Sequence, residues 1–263
     1  MFINSTKNMN KQRRLVLVTS DKGGTGKSTF SRAYLDCLSN KSLPYTAFDG
    51  DTRNPQLYRH YQSIASGVQQ ITISEDEGID TLIDALVETD QPLVIIDLPA
   101  GGGAALEKLE AEAGIFYALK ATGFKLSIVS VLTPVKDCVV ALQLLLDRYQ
   151  DNVDYVAVRN EFFGDASKFI NFENSPTHQQ FLQLGGQEII MPSLYPSVHR
   201  MLDEHSLSFQ EALEDNSPLS FSQKMRLQKW MELKDRELEK VAPVIGIEKQ
   251  IIQYEFRGAG FAS

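Results

Sequence analysis

Lys22-Gly23-Gly24-Thr25-Gly26-Lys27-Ser28-Thr29 stands between two segments of different periodicity, and that placement decides the fold. Ahead of it, Leu15-Val16-Leu17-Val18-Thr19 is a short apolar run rich in β-branched residues, the mark of a strand buried on both faces. Behind it, Phe30, Ala33, Tyr34, Cys37 and Leu38 recur at helical spacing and form one apolar stripe. A glycine-rich turn between a buried strand and a helix is suited to phosphate. Glycines reach dihedrals closed to other residues, so successive N–H groups can turn inward around an anion. The helix that follows aims its positive end at the same charge. In such a turn Lys27 can bridge the β- and γ-phosphates, and the Ser28 hydroxyl can hold Mg2+. The common spacing asks for glycine where this chain has Asp21, so only the tighter Lys-Gly-Gly-x-Gly-Lys-Ser form fits.

Outward from the loop, strand-like and helix-like segments alternate. Tyr45 to Phe48, Leu93 to Ile96, Leu126 to Leu132 and Tyr155 to Val158 read as strands. Ile79, Leu82, Ile83, Leu86 and Val87 form a helical stripe, as do Val135, Val139, Leu142 and Leu146. Glu188 to Met191 reads as a last strand before Pro192, and Leu227, Trp230, Met231, Lys234, Leu238 and Val241 as the inner face of a long helix. This order predicts an α/β fold: a doubly wound, mostly parallel sheet flanked by helices, with the ligand at the C-terminal edge of the strands. Residues 1–13 read as a flexible basic tail and 14–263 as a single domain with a helical C-terminal part. Lys7, Lys11, Arg13 and Arg14 supply the basic charge at that start.

Three further segments carry polar groups to strand ends. Leu93-Val94-Ile95-Ile96-Asp97 is an apolar strand closing on a carboxylate, which near a phosphate loop can orient Mg2+ through its water shell. Gly101-Gly102-Gly103 then gives backbone freedom suited to sensing a γ-phosphate. Asp49-Gly50-Asp51 ends the second strand, and Asn160 follows the strand at Tyr155 to Val158.

Together these segments carry a resemblance. The loop resembles the deviant Walker A motif of the ParA/MinD group of ATPases, and Asp97-Leu98-Pro99-Ala100-Gly101 resembles the Asp-x-Pro-Ala-Gly segment of MinD proteins. The resemblance implies a P-loop NTPase that binds ATP and Mg2+, with Lys22, Gly23, Gly24, Thr25, Gly26, Lys27, Ser28 and Thr29 around the phosphates. It implies that Lys22 reaches the nucleotide of a partner subunit, which couples hydrolysis to a homodimer formed when ATP is bound. Asp51 would position or activate the attacking water, and Asp49, Asp97 and Ser28 would make the metal environment. Asn160 and Pro192 would flank the adenine. Asp51-Thr-Arg-Asn-Pro-Gln-Leu57 departs from the ParA pattern, which sets Pro-Gln directly after the second Asp, so the subfamily stays open. The resemblance extends over roughly residues 14 to 195. It implies a switch controlling plasmid DNA partition or transfer, with DNA, or a partition or mobilisation protein, as partner. Protein or membrane positioning of the MinD kind and a metabolic P-loop ligase or kinase acting on a small molecule are the alternatives.

The 263 residues carry 26 Lys plus Arg against 34 Asp plus Glu, a net charge of −8, so DNA binding through overall charge is excluded and any contact needs a local patch. Lys224, Arg226, Lys229, Lys234 and Arg236 concentrate basic charge on the long C-terminal helix, but acidic residues interleave and a salt-bridged, solvated face is the simpler reading. Two cysteines, Cys37 and Cys138, argue against a disulfide scaffold. His60, His178, His199 and His205 show no ligand spacing and read as surface or loop residues. No apolar run approaches the ~20 residues of a spanning helix, and the run after Arg14 is too short for a signal core, which predicts a cytoplasmic protein without stable membrane insertion. Ile247, Ile251, Ile252, Tyr254 and Phe256 give the C-terminus an apolar side, but Glu248 and Glu255 offset Lys249 and Arg257, so packing on protein is favoured over lipid.

Overall fold

The apolar runs that begin at Leu15, Leu93 and Tyr155 belong to strands ending on Thr19, Asp97 and Asn160, polar residues at the same edge of one sheet. In a computed structural model that describes residues 12–20, 22–64 and 67–247, the elements follow in the order β1 (Arg13–Thr19), α1 (Lys27–Asn40), β2 (Thr46–Asp49), α2 (Gln56–Tyr61), β3 (Gln69–Gln70), α3 (Asp76–Glu88), β4 (Leu93–Asp97), α4 (Gly102–Ala113) and α5 (Ile115–Thr122). Then come β5 (Phe124–Leu132), α6 (Lys136–Tyr149), β6 (Asp154–Asn160), α7 (Ile170–Glu173), α8 (Pro176–Gln183), β7 (Gln187–Met191), α9 (Pro196–Glu204), α10 (Phe209–Leu213) and α11 (Phe221–Lys240). The strands form one seven-stranded sheet in the order β3-β2-β4-β1-β5-β6-β7, and every described pairing is parallel.

Alternation along β1 splits the core between the two faces. Val16 and Val18 pack with Phe30 and Tyr34 of α1, Leu202 of α9, Phe209 of α10 and Trp230 of α11. Leu15 and Leu17 face the other layer, with Leu82 of α3, Leu106 of α4, Leu119 of α5, Leu142 of α6 and Phe181 of α8. Covered on both sides, β1 from Leu15 to Val18 and β4 from Leu93 to Ile96 can be continuously apolar, as their sequences are.

Several expectations change. Arg13 and Arg14, read with the basic tail, are strand residues: β1 opens at Arg13, whose guanidinium lies over the Phe124 ring at 4.1 Å. Arg14 is buried, with Nη1 2.5 Å from the Asp154 carboxylate and 3.0 Å from Ser127 Oγ. The rest of the tail, residues 1–11, and the apolar C-terminal side beyond Ile247 lie outside the described residues. Val87 and Val135, counted in apolar stripes, are 63% and 47% exposed. His60, read as a surface residue, is buried, with Nδ1 2.8 Å from the Leu207 carbonyl; burial and the neighbouring Arg32 push its pKa down to about 4. Lys234 leaves the candidate DNA face altogether. It is fully buried, donating from Nζ to Asp36 Oδ2 at 2.7 Å and to the Ala33 carbonyl at 3.1 Å, and so ties α11 to α1. Of the other cations on α11, Lys229 meets Glu232, Lys240 meets Glu237, Lys224 donates to the Glu214 carbonyl and Arg226 lies over the Tyr195 ring at 4.7 Å.

Candidate nucleotide site

The loop after β1 is fixed before any ligand arrives. Thr25 Oγ1 donates to Ser20 Oγ at 2.7 Å, and Ser20 Oγ donates to the Lys22 carbonyl at 2.9 Å. Gly26 caps α1 at φ +98°, a dihedral unfavourable for any residue with a Cβ, and a Cβ there would collide with Asn160 Nδ2. The first N–H groups of α1, from Lys27 onward, point into a cavity of about 380 Å³. Gly23, Gly24, Gly26, Lys27, Ser28 and Thr29 line one wall of it.

The acidic pair stands beside that wall because β4 is adjacent to both β1 and β2. Asp97 is in register with Val18 on one side and Asp49 on the other. Asp49 is fully buried and its two oxygens accept the Asp51 N–H at 3.0 Å and the Tyr58 N–H at 2.9 Å. It therefore shapes the turn into α2 as well as facing Asp97. Burial raises its pKa to about 6, against the pull of those backbone donors. Asp97 is buried, and neither carboxylate oxygen makes a hydrogen bond of ordinary geometry among the described residues. Burial, and then the charge of Asp49, push its pKa up to about 7; Ser28, Lys27 and Ser31 nearby offset this in part.

Orphaned buried carboxylate oxygens next to a serine hydroxyl at a phosphate loop fit a divalent cation. Among the described residues no group of three or more His, Cys, Asp or Glu is arranged to hold a metal by itself. The remaining ligands would come from phosphate oxygens and water, the usual arrangement for Mg2+.

The other predicted residues take more specific places. Asp51 is half-buried on the cavity wall, its Oδ1 accepting the Asn54 N–H at 3.1 Å. Asn160 lines the cavity from the end of β6, with its amide turned toward protein: Nδ2 donates to the Thr25 carbonyl at 2.8 Å and Oδ1 accepts from the Phe162 N–H at 3.1 Å. Pro192 lines the same region, and its carbonyl accepts from Trp230 Nε1 at 2.7 Å, fixing the loop to α11. Lys22 is separated from Lys27 by the loop. Lys27 is buried at the wall, whereas the Lys22 side chain is 57% exposed and ion-paired with Asp137 in the first turn of α6. The Gly101-Gly102-Gly103 run is less free than its composition suggests. Gly101 caps α4 at φ +73° and donates its N–H to the Ser20 carbonyl at 3.2 Å, and Gly102 packs so closely on Thr19 and Leu98 that no Cβ fits.

Sequence reading missed Arg32, Phe162, Phe163, His199 and Asp203, all of which line the cavity. Arg32 carried a faint signal, lying one turn beyond Ser28 on the same helix. It is buried under the Phe209 ring, 5.1 Å to the centroid, and burial lowers its pKa to about 10. Phe162 and Phe163 come from the short turn after β6, which has no periodic pattern, and His199 and Asp203 from α9, beside its apolar stripe of Val198, Met201 and Leu202.

No family model matches the chain. Protein MobD of Acidithiobacillus ferrooxidans is 24% identical over 230 residues, covering 87% of this chain and 98% of that protein. The septum site-determining protein MinD of Pyrococcus horikoshii, complexed with Mg-ADP, is a structural neighbour at 16% identity, covering 90% of this chain and 99% of its own, with a TM-score of 0.49. A plasmid partition protein of Borrelia burgdorferi is another, at 14% identity, 88% and 100% coverage and a TM-score of 0.44. The parallel sheet with a glycine loop between β1 and α1 is the P-loop NTPase fold, and within it this chain is similar to the ParA/MinD group of ATPases.

Proposed function

We propose that the chain is an ATP-dependent dimerising switch: it binds Mg·ATP, pairs with a second copy across the bound nucleotide and hydrolyses ATP to release the pair. The observation that carries this reading is the contrast between the two lysines of one loop. Lys27 is buried against the cavity, where it serves the phosphates of its own subunit. Lys22 stands on the outer side of the loop, exposed, beside a shallow hollow lined by Pro134, Val135 and Phe163. A cation so placed is suited to a nucleotide on another molecule, and the exposed Val135 and Phe163 give that molecule apolar surface to cover.

Within the subunit, the N–H groups of residues 27–29 and the loop glycines bind and orient the phosphates. Ser28, Asp97 and Asp49 would hold Mg2+, which when bound would neutralise phosphate charge. Asp51, on the opposite wall, orients the attacking water. Phe162, Phe163 and Pro192 provide an apolar slot for the base. Lys22 from the partner adds positive charge where the transferred phosphoryl group develops negative charge.

Similarity to MobD along nearly its whole length supports DNA transfer as the process served, and plasmid partition remains its closest rival. Sedimentation with ATP, ADP and no nucleotide tests the switch. ATP alone should produce dimer, and Lys22→Ala should abolish hydrolysis while leaving nucleotide binding intact. Monomeric turnover insensitive to Lys22→Ala would replace the switch with a small-molecule enzyme. A gel shift of duplex DNA seen only with ATP supports partition or transfer, and its absence in every nucleotide state points to protein positioning.

A further inference from the structure

On the opposite face of the sheet from most of the nucleotide cavity, a second cavity of about 330 Å³ lies between α4, α6 and β5, and it shares no lining residue with the first. Its origin is visible in β5. The strand's side chains facing this layer run Leu126, Ile128, Ser130, Leu132, so one hydroxyl interrupts an apolar row. Ser130 is 4% exposed, lines the cavity, and its Oγ has no hydrogen-bond partner among the described residues. A buried hydroxyl with no partner carries a desolvation cost that a ligand atom can remove. Around it the walls are apolar, with Leu132, Cys138, Leu142 and Leu145, in a layer that is otherwise close-packed.

The rim is different. Glu107 of α4 and Arg148 of α6 meet there at 2.8 Å, both side chains about half exposed, so the entrance is closed by an ion pair of the kind that opens at little cost. The volume lies in the range of small-molecule sites, and an apolar wall with one inward polar group is their usual composition. Phosphate is a poor match, because the cation at the rim already has a carboxylate partner.

We propose that this cavity binds a small, mainly apolar organic molecule bearing one hydroxyl or carbonyl group. Its polar atom meets Ser130 Oγ, its apolar body packs on Leu142 and Leu145, and it enters past Glu107 and Arg148. The occupant also touches Gly103 in the first turn of α4, two residues after the Gly101 N–H that bonds to Ser20 at the root of the phosphate loop. It thus fills the space behind the link between loop and α4.

The test uses the full chain with 2-naphthol and naphthalene as probes, measured by fluorescence and ligand-observed NMR. Saturable binding of 2-naphthol at one site is expected, not displaced by ADP. Ala141→Phe, which fills the cavity, should weaken both probes by about tenfold or more. Ser130→Ala should weaken 2-naphthol several-fold and leave naphthalene unchanged, a difference that altered folding would not produce. Thermal melting and ADP binding confirm that each variant is folded. Absence of saturable binding, displacement by ADP, or indifference of both probes to Ala141→Phe in a folded variant would each overturn the proposal.

Discussion

The side-chain amide of Asn160 donates to the backbone carbonyl of Thr25 over 2.8 Å, joining the end of β6 to a phosphate loop 135 residues earlier in the chain. The same amide accepts from the Phe162 N–H, so one side chain holds the loop and the start of the base-side segment together. Asn160→Asp keeps the acceptor but places an oxygen against the Thr25 oxygen. It should weaken ADP and base-free tripolyphosphate by the same factor, about tenfold for each ~1.4 kcal/mol of lost bracing. Isothermal titration with both ligands decides the matter. A loss confined to ADP would assign the amide to the base instead.

Gly26 adjoins this brace from the other side. At φ +98°, with Asn160 Nδ2 in the space a Cβ needs, Gly26→Ala should displace the brace and strain the backbone together. We expect undetectable nucleotide binding at concentrations that saturate the wild type, with the far-UV spectrum of the fold retained. Near-normal affinity in the titration would mean that the loop adjusts more readily than its geometry indicates.

The two buried carboxyls give stability a definite sign with pH. Asp97 at about 7 and Asp49 at about 6 bind their protons more tightly when folded than at their ordinary value of 3.8. Between those limits the folded chain keeps protons that the unfolded chain releases, so their contribution falls as pH rises from about 4 to about 7. Urea unfolding of nucleotide-free protein should show Asp97→Asn raising stability at pH 8 by about 1–3 kcal/mol, with much less effect at pH 4. Chelating Mg2+ from the nucleotide complex should cost more stability at pH 8 than at pH 5. Parallel pH curves for variant and wild type would remove Asp97 from this role.

Lys22 and Asp137 are exposed partners, and an exposed ion pair contributes at most about 1 kcal/mol. In the proposed switch Asp137 would compete with the partner subunit for the lysine, so Asp137→Asn should favour an ATP-dependent dimer by up to about fivefold. Sedimentation at graded protein concentration, with ATP and with ADP, measures this. Weaker dimerisation of the variant would show that Asp137 serves the interface rather than opposing it.

Lys234 and Asp36 are both fully buried, and the link joins the last long helix to the helix that follows the phosphate loop. Lys234→Met strands the Asp36 charge and should cost about 3–5 kcal/mol, whereas replacing both residues with apolar side chains should recover most of the loss. Chemical denaturation of the single and double variants checks this. A single variant as stable as wild type would mean that Gln210 and Asn40, which also contact Asp36, suffice to hold it.

What the sequence determined by itself was local and periodic. Strands buried on two faces must be apolar along their length, and a loop that turns N–H groups inward must be rich in glycine. Hence β1, β4, β5 and the Lys22–Thr29 loop were legible, and with them the parallel α/β fold. The short edge strand β3, made of two glutamines, and the short helices α7 and α10 lack such a signature because their packing is set by neighbours, whereas α9 carries an apolar stripe at Val198, Met201 and Leu202 that is visible in the sequence. The tertiary structure decided which polar residues meet. Asp49 and Asp97 repel because β2 and β4 are register neighbours, His60 is buried because α2 packs beside Leu207, and Lys234 turns inward because α1 offers Asp36. It also decided where charge is spent. Composition gave one net value, but Arg14, Arg32 and Lys234 are buried and cannot serve a DNA face, because each has a partner or ring only the folded chain supplies.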